Sequence, residues 1–505
     1  SVLCCINRLK HQQDKNSIMQ SPPVSPGTPR PKSTVGIGID FGTSNTAAAL
    51  YDGQQVTLIQ LETRSVIMPS AIYFDRDHSV TTGEQAIADY ISANQGRKVE
   101  LSAEVLGESR TSTGQIDAET NLPGESPTGL VYGQAHNDAG MPGRLFRGVK
   151  RLLGNKDIER ITIFDRPFRL VALITPLLLR VRESIQALIR KQGIADAARI
   201  SSSATIGHPV NFEGSASDHN QIALNRLLES YGHAGIKQGF SYPEPNAAAL
   251  SFLAVKPHLN PDCILTVDFG GGTLDFCVLR RVVDRYEVLG IHGIGLGGDH
   301  IDQRMYRRFV FPLLGKGERW RREIEGKVIE TLFPFEGMEE YLLNWTISYM
   351  LNQNTWLTPV IDMKRQGGQA GIKFDRLYEL VTQNYSYQVF QALKLCKEAL
   401  SDRDEVLLDI PEVDIRLPIT RHEFEAVIHD LLLDFETAVS RSIEVAGISA
   451  QQVDLVLRTG GSCLIPAVSQ ALEVRFPGKV VEHDPFTSVA AGLAIADYRR
   501  RMGLQ

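Results

Sequence analysis

Two short phrases carry the chemistry this sequence offers. Asp40-Phe41-Gly42-Thr43-Ser44-Asn45-Thr46 closes one apolar run, and Asp268-Phe269-Gly270-Gly271-Gly272-Thr273-Leu274-Asp275 closes another in the other half of the chain. Each follows a β-branched stretch, Val35 to Ile39 and Ile264 to Val267, so each reads as strand, tight glycine turn, second strand. A carboxylate at a strand end, Asp40 or Asp268, can hold a hydrated metal ion. Gly42 and Gly270 to Gly272 let backbone N–H groups approach an anion, and the hydroxyls of Thr43, Ser44 and Thr273 and the Asn45 amide add donors. Three consecutive glycines cost roughly 0.5–1 kcal/mol each relative to alanine in regular structure, more than a plain turn requires. Two such hairpins facing each other would clamp a phosphate chain from both sides.

A third turn, Thr459-Gly460-Gly461-Ser462, follows an expected strand at Asp454–Leu457 and precedes a helix beginning near Pro466. A helix start favours anionic or polar groups; an ordinary strand-to-helix turn uses the same residues. No G-x-x-x-x-G-K-[ST] phosphate loop occurs, nor a G-x-G-x-x-G with an acidic residue about 20 positions on. Gly293-Ile294-Gly295-Leu296-Gly297-Gly298 imitates the latter loosely and reads as close packing at a strand end. His208, His292 and His300 occur singly, without metal-ligand spacing, and read as structural.

The elements that must position these turns follow a repeated order. Val35–Asp40, Thr46–Tyr51 and Gln55–Ile59 read as three short strands, and Ile264–Asp268, Leu274–Arg280 and Tyr286–Ile291 as three more. Helical spacing is expected over Arg144–Leu153, Phe168–Lys191, Gln221–Tyr231 and Pro245–Leu253, over most of 300–400, and over Glu423–Val445 and Ser488–Arg500. Short strands are expected at Ser203–Ile206, Glu405–Ile410 and Val413–Pro418. The polar, glycine-rich stretch 92–143 shows no sustained period and reads as a flexible loop excursion. Residues 1–34, with five prolines between Pro22 and Pro31, read as a disordered tail. Three strands then helices, twice over, imply a duplicated α/β unit with ligand in the cleft between halves.

Bulk properties narrow the function. The chain has 505 residues, ample for several cores, and 53 basic against 59 acidic residues give a net charge of −6. No basic excess points to nucleic acid or an anionic membrane. The longest apolar run, Leu170 to Val181, is interrupted by Pro176 and reads as a buried helix, so no membrane span is expected. Six cysteines lie scattered without a C-x-x-C pair, so neither a zinc site nor a disulfide framework is indicated. A reducing cytoplasm is the expected setting. Cys4 and Cys5 at the start lack the layout of a signal peptide.

In order and separation, the three glycine turns resemble those of the nucleotide-binding domain of the seventy-kilodalton heat-shock chaperones, a fold shared with actin and the sugar kinases. Arg147-Gly148-Val149-Lys150-Arg151-Leu152-Leu153-Gly154 resembles the family's catalytic-lysine segment, which implies that role for Lys150; spacing alone makes it a solvated charge. Pro243-Glu244-Pro245-Asn246-Ala247-Ala248-Ala249 resembles N-E-P-T-A-A-A, implying Glu244 as the water-positioning carboxylate and Pro245 as a conformational switch. Leu296-Gly297-Gly298-Asp299-His300-Ile301-Asp302 resembles L-G-G-E-D-F-D, which adds Gly297 and Gly298 to the nucleotide site. Asp484-Pro485 with Ala490-Ala491-Gly492 is similar to the entrance of the final helix. Ile206-Gly207-His208-Pro209-Val210-Asn211-Phe212 resembles the short bacterial YegD-like members.

Two departures fall on the base-binding arginines. Leu395-Cys396-Lys397-Glu398-Ala399-Leu400-Ser401 resembles A-K-R-T-L-S with Glu398 at one arginine. Gly461-Ser462-Cys463-Leu464-Ile465-Pro466 resembles G-S-T-R-I-P with Leu464 at the other. Lys397, Ser401, Gly460, Gly461 and Ser462 remain to reach the nucleoside. The resemblance thus implies a duplicated RNase H-like fold: lobe I over 35–258 with an insertion at about 66–166, lobe II over 259–500 with a helical insertion at about 298–428, and a tail at 501–505. It implies a chaperone-like ATPase binding ATP or ADP with Mg2+ on Asp40 and Asp268 through water. Catalysis would rest on Lys150, Glu244, Asp268 and Thr273. The resemblance ends near Gln505, before any counterpart of the chaperones' peptide-binding sandwich, so unfolded-protein clients or co-chaperones would act in trans. An actin-like filament-forming ATPase, a sugar or metabolite kinase and an inactive nucleotide sensor remain as alternatives.

Overall fold

Phe41 and Phe269 each close a buried strand that turns back on itself through glycine. The computed structural model describes residues 34–99, 101–110, 128–138, 140–194, 196–214, 216–283, 285–484 and 486–504. The proline-rich tail with Cys4 and Cys5, and Pro485, lie outside the described residues. The first large sheet is built from β1 (Gly36–Phe41), β2 (Asn45–Tyr51), β3 (Val56–Leu58), β4 (Ser203–His208) and β5 (Gln238–Pro243), with the two-residue strand Met68–Pro69 on β2. The second contains β6 (Cys263–Phe269), β7 (Leu274–Val282), β8 (Arg285–Ile294), β9 (Leu455–Thr459) and β10 (Val480–Glu482).

The two sheets repeat one strand order. The first runs β3-β2-β1-β4-β5 and the second β8-β7-β6-β9-β10. In both, the first three strands form an antiparallel meander and the last two add in parallel. Asp40 pairs with Ala47 across one hairpin, and Asp268 with Asp275 across the other. Both turns are therefore presented at the same end of equivalent strands.

Four helices position the site. α1 (Leu170–Lys191) keeps Pro176 in its first two turns and buries an apolar stripe from Leu170 to Ile189 in the first core. α2 (Glu244–Val255) begins directly where β5 ends, with Pro245 at the second helical position, where no intrahelical N–H is lost. α3 is Ser386–Leu400 and α4 is Ser488–Arg501. The small residues of α2 and α4 exchange halves. Ala248, Ala249 and Phe252 of α2 pack on Ile264, Leu279 and Leu457 of the second sheet, while Ala490 and Ala494 of α4 pack on Ala47 and Ala49 of the first. The closeness demands glycine: a methyl group on Gly38 would lie 2.3 Å from the Ala490 carbonyl oxygen, and one on Gly492 would lie 1.8 Å from that of Ala247.

Asp497 fastens α4 to the first sheet. Fully buried, it accepts from the Ile37 amide (2.8 Å), the Thr205 hydroxyl (3.3 Å) and the guanidinium groups of Arg500 (2.7 Å) and Arg501 (2.6 Å). Asp497→Ala leaves the Ile37 amide and two arginines without their acceptor and is expected to cost about 3–5 kcal/mol. Urea unfolding with the slope held constant measures it; a midpoint unchanged from wild type contradicts the assignment.

Four expectations need correction. The described parts of 92–143 are not a loop: strands at Leu101–Arg110 and Thr128–Asp138 pair antiparallel, and Gly143–Arg147 pairs with Ala71–Asp75. Arg144–Leu153 is not helical as a whole. It is that strand, then Gly148 at φ 66°, then one 3-10 turn at Val149–Leu152. The largely helical stretch 300–400 also holds an antiparallel hairpin, Arg319–Ile324 with Lys327–Leu332. The long helix expected over Glu423–Val445 is two helices, Arg421–Val427 and His429–Val445, meeting at a kink on Ile428. Among the described residues no helix is long and apolar enough to cross a membrane.

Candidate functional site

The two hairpin turns meet. A methyl group on Gly271 would lie 3.0 Å from the Ser44 hydroxyl and 3.9 Å from an Asp299 carboxylate oxygen. The turns themselves are tied by backbone bonds, Gly42 N–H to the Asn45 carbonyl (2.9 Å) and Gly270 N–H to the Thr273 carbonyl (3.0 Å). Gly298 and Asp299 then donate to the Gly270 and Gly271 carbonyls (3.0 and 2.8 Å), bringing the Gly297-Gly298 turn against the triple glycine. Gly460, at φ 80°, would drive a methyl group to 2.6 Å from an Asp268 carboxylate oxygen. Thr43 sits 3.8 Å from the methyl position of Gly148, just before Lys150. The sequence-predicted glycine turns therefore converge on one place, where side chains would fill space that bare backbone leaves open.

Lys150 and Glu244 form an ion pair at 2.6 Å, and Lys150 is only 6% exposed. The 3-10 turn after Gly148 delivers the lysine, and the start of α2 delivers the carboxylate. Burial pulls the Lys150 ammonium down, but the carboxylates of Glu244, Asp40 and Asp268 outweigh it and hold its pKa above the ordinary value. Burial pushes the Asp40 carboxyl up to about 7, helped by Glu244 and Asp268 and opposed by Lys150. Burial likewise raises Asp268 to about 7, with Asp275 and Glu244 adding and Lys150 and the Thr459 hydroxyl opposing. Four carboxylates thus share the field of one lysine.

Such a concentration of oxygen donors fits a hard divalent cation. Among the described residues no three His, Cys, Asp or Glu side chains form a direct metal cage. Two carboxylates are the usual protein share for a magnesium ion that keeps its waters. The raised carboxyls give the unliganded protein a signed pH dependence. Unfolded, both titrate near 3.8; folded, they hold their protons to about 7. The folded state binds more protons throughout that window, so stability falls as pH rises from about 4 to 7 and levels above it. Thermal melts at pH 5 and 7.5 read this: the higher melting temperature is expected at pH 5, and Asp268→Asn should flatten the difference.

The second cluster lies around Lys397 on α3. Its ammonium pairs with Asp302 at 2.6 Å and donates to the Gly298 carbonyl (3.2 Å). The methyl position of Gly298 lies 3.0 Å from the Ser462 hydroxyl, which donates to the Gly270 carbonyl (3.2 Å). Lys397 and Ser462 therefore flank the Gly297-Gly298 turn. Ser401 turns its hydroxyl back to the Lys397 carbonyl (3.5 Å), and Gly461 opens the short 3-10 turn that carries Ser462.

A cavity of about 610 Å³ is lined by Asn211, Glu213, Gly293, Asp268, Thr273 and Glu244, among others. Several of its groups were not legible beforehand. Asp275 closes the second glycine phrase without a role read for it there; it accepts from the Thr273 hydroxyl, and burial raises its carboxyl. Arg151 stands near Gly272 and pairs with Glu213 at 2.7 Å; its place beside Lys150 was the available signal. Asp302 was visible only as the last residue of a glycine motif. His300 accepts from the Gly297 amide, and His208 stacks on Phe212. His292 lies in the cavity wall.

Residues 386–497 match the Hsp70 protein family. The matched stretch contains Lys397, Ser401, the Gly460-Gly461-Ser462 turn and α4 up to Asp497. The chain is also similar to the heat shock 70 kDa protein BIP3 of Oryza sativa subsp. japonica, at 24% identity over 471 residues, 91% of this chain. The chain spans about half, 56%, of the length of that curated relative.

Proposed function

We propose that residues 35–500 form a heat-shock-type ATPase of the duplicated actin-like architecture, with lobe I over 35–258 and lobe II over 259–500. The repeated strand order of the two sheets and the exchanged helices α2 and α4 support this reading. The narrower likeness to YegD-like members rests on Ile206–Phe212. The site binds Mg-ATP and hydrolyses it slowly. The observation that carries the proposal is the convergence of both aspartate-ended glycine turns on the buried Lys150–Glu244 pair.

In this reading the backbone amides of Gly42 and Gly270–Gly272, with Thr43, Ser44, Asn45 and Thr273, hold the phosphates. Lys397, Ser401, Gly297, Gly298, Gly460, Gly461 and Ser462 line the nucleoside end. Asp40 and Asp268 hold magnesium through its waters, and the ion supplies neutralisation of charge on the phosphates. Lys150 stabilises charge gathering on the transferring phosphoryl group. Glu244, fixed at the start of α2 and held by Lys150, orients the attacking water at its Oε1, since phosphoryl transfer depends on positioning and charge more than on a strong base. Unfolded-protein clients or co-chaperones are the partners this reading gives it, and the free thiols of Cys263, Cys277, Cys396 and Cys463 support a reducing compartment such as the cytoplasm.

Titration with ATP, GTP and ADP in magnesium, with phosphate release followed in parallel, tests the proposal. Saturable ATP binding with slow, substrate-independent phosphate release is expected. No binding of any nucleotide overturns it, and release only when a sugar is added points to the kinase instead.

A further inference from the structure

Phe486 is a large apolar ring left 41% exposed on a turn that is itself firmly held. The turn joins β10 to α4. Asp484 accepts from the amides of Phe486 and Thr487 (3.1 Å each) and from the Thr487 hydroxyl (2.6 Å). His483 before it is buried, with Nε2 2.9 Å from the Ser251 hydroxyl of α2 and its ring edge-on to Phe252 (5.5 Å). A turn bonded in this way presents the Phe486 ring in one place rather than letting it fold away. That place is the third glycine turn. A methyl group on Gly461 would stand 2.9 Å from Cζ of the Phe486 ring and 3.1 Å from Cε1, so only glycine lets the ring settle against the backbone there.

We propose that Phe486 is the platform on which the base of the bound nucleotide stacks, so that the site takes purine nucleotides by the face of the base and discriminates little by its edge. This rests on the function proposed above, which puts the nucleoside end at Gly460, Gly461 and Ser462. The polar side chains at that end are already engaged within the protein. Lys397 is held by Asp302 and the Gly298 carbonyl, Ser401 donates to the Lys397 carbonyl, and Ser462 donates to the Gly270 carbonyl. Leu464, half-buried at the end of the same 3-10 turn, has no polar side-chain atom. Reading the edge of a base would mean breaking those bonds, whereas an exposed aromatic face needs only to be covered. Every base has a π-face, so stacking holds a nucleotide without choosing strongly among bases. The firm turn adds to this, because a ring already in position loses little freedom when the base arrives.

Calorimetric titration of the full chain with Mg-ATP, Mg-GTP and magnesium tripolyphosphate separates the base from the phosphates. In wild type, ATP and GTP should bind within about fivefold of each other, and both more tightly than tripolyphosphate. Phe486→Ala should weaken ATP and GTP alike by about 5- to 100-fold and leave tripolyphosphate unchanged. Phe486→Trp, which keeps an aromatic face, should bind both nucleotides as wild type does. ATP affinity equal in wild type and Phe486→Ala, or a loss that falls equally on tripolyphosphate, overturns the platform while the phosphate site stands. ATP favoured over GTP by roughly 100-fold or more overturns recognition by the face, because such a ratio needs hydrogen bonds to the base edge. If wild type binds neither ATP nor tripolyphosphate, the function proposed above fails and the platform with it.

Discussion

Lys150→Ala is expected to lower single-turnover ATP hydrolysis by roughly 10²–10³, the usual loss when one preorganised charge donor to a transition state is removed. Mg-ATP affinity should change little, because the glycine turns and hydroxyls proposed to hold the phosphates remain. The variant carries a second signature that a surface lysine would not give. Lys150 opposes the upward shifts of Asp40 and Asp268 and pairs with Glu244. Without it, those carboxyls hold their protons to still higher pH, so the stability deficit of the variant should be small at pH 5 and grow toward pH 8. Quench-flow hydrolysis and thermal melts across that range measure both effects. Near wild-type turnover would remove Lys150 from the chemistry, and a pH-independent deficit would remove it from the carboxylate field.

Gly492→Val is expected to destabilise the protein by about 3 kcal/mol and to lower activity beyond what stability explains. The added methyl groups would meet the Ala247 carbonyl at the closest approach of α4 to α2, and backbone cannot step aside as a flexible side chain does. α2 begins with Glu244, so parting the helices moves the carboxylate from Lys150. Urea unfolding gives the stability loss. Single-turnover hydrolysis of the folded fraction gives the remainder, and a folded variant with full activity would show that α2 is not seated by α4.

The parts of this molecule that were legible in sequence are those set by short-range backbone chemistry. Asp-Phe-Gly after a β-branched run specifies strand and turn locally, and both hairpins appear with the register that places Asp40 and Asp268 at strand ends. α1 was legible because its apolar stripe repeats over five turns. Arg144–Leu153 misled because Leu145, Val149 and Leu152 fall at helical spacing. Gly148 in the left-handed region splits the segment, and pairing with Ala71–Asp75 decides the strand. The hairpin Arg319–Leu332 was hidden for a related reason: its exposed strands carry arginines and glutamates that favour no one structure. For the site, residue types pointed to phosphate and metal, but partners did not show. Nothing local pairs Lys150 with Glu244, 94 residues on, or Lys397 with Asp302. Asp497 has no local signal beyond its place in the closing helix, and only the fold makes it the acceptor for Ile37.

A double-mutant cycle on Mg-ATP binding, followed by calorimetry, tests the shared ion site most directly. Asp40→Asn and Asp268→Asn should each weaken binding on the order of 10–100-fold. The double variant should be little worse than the weaker single one, because two carboxylates serving one ion act as a unit. Losses that simply add, or binding that survives both changes, would mean that the two halves do not grip the same ligand.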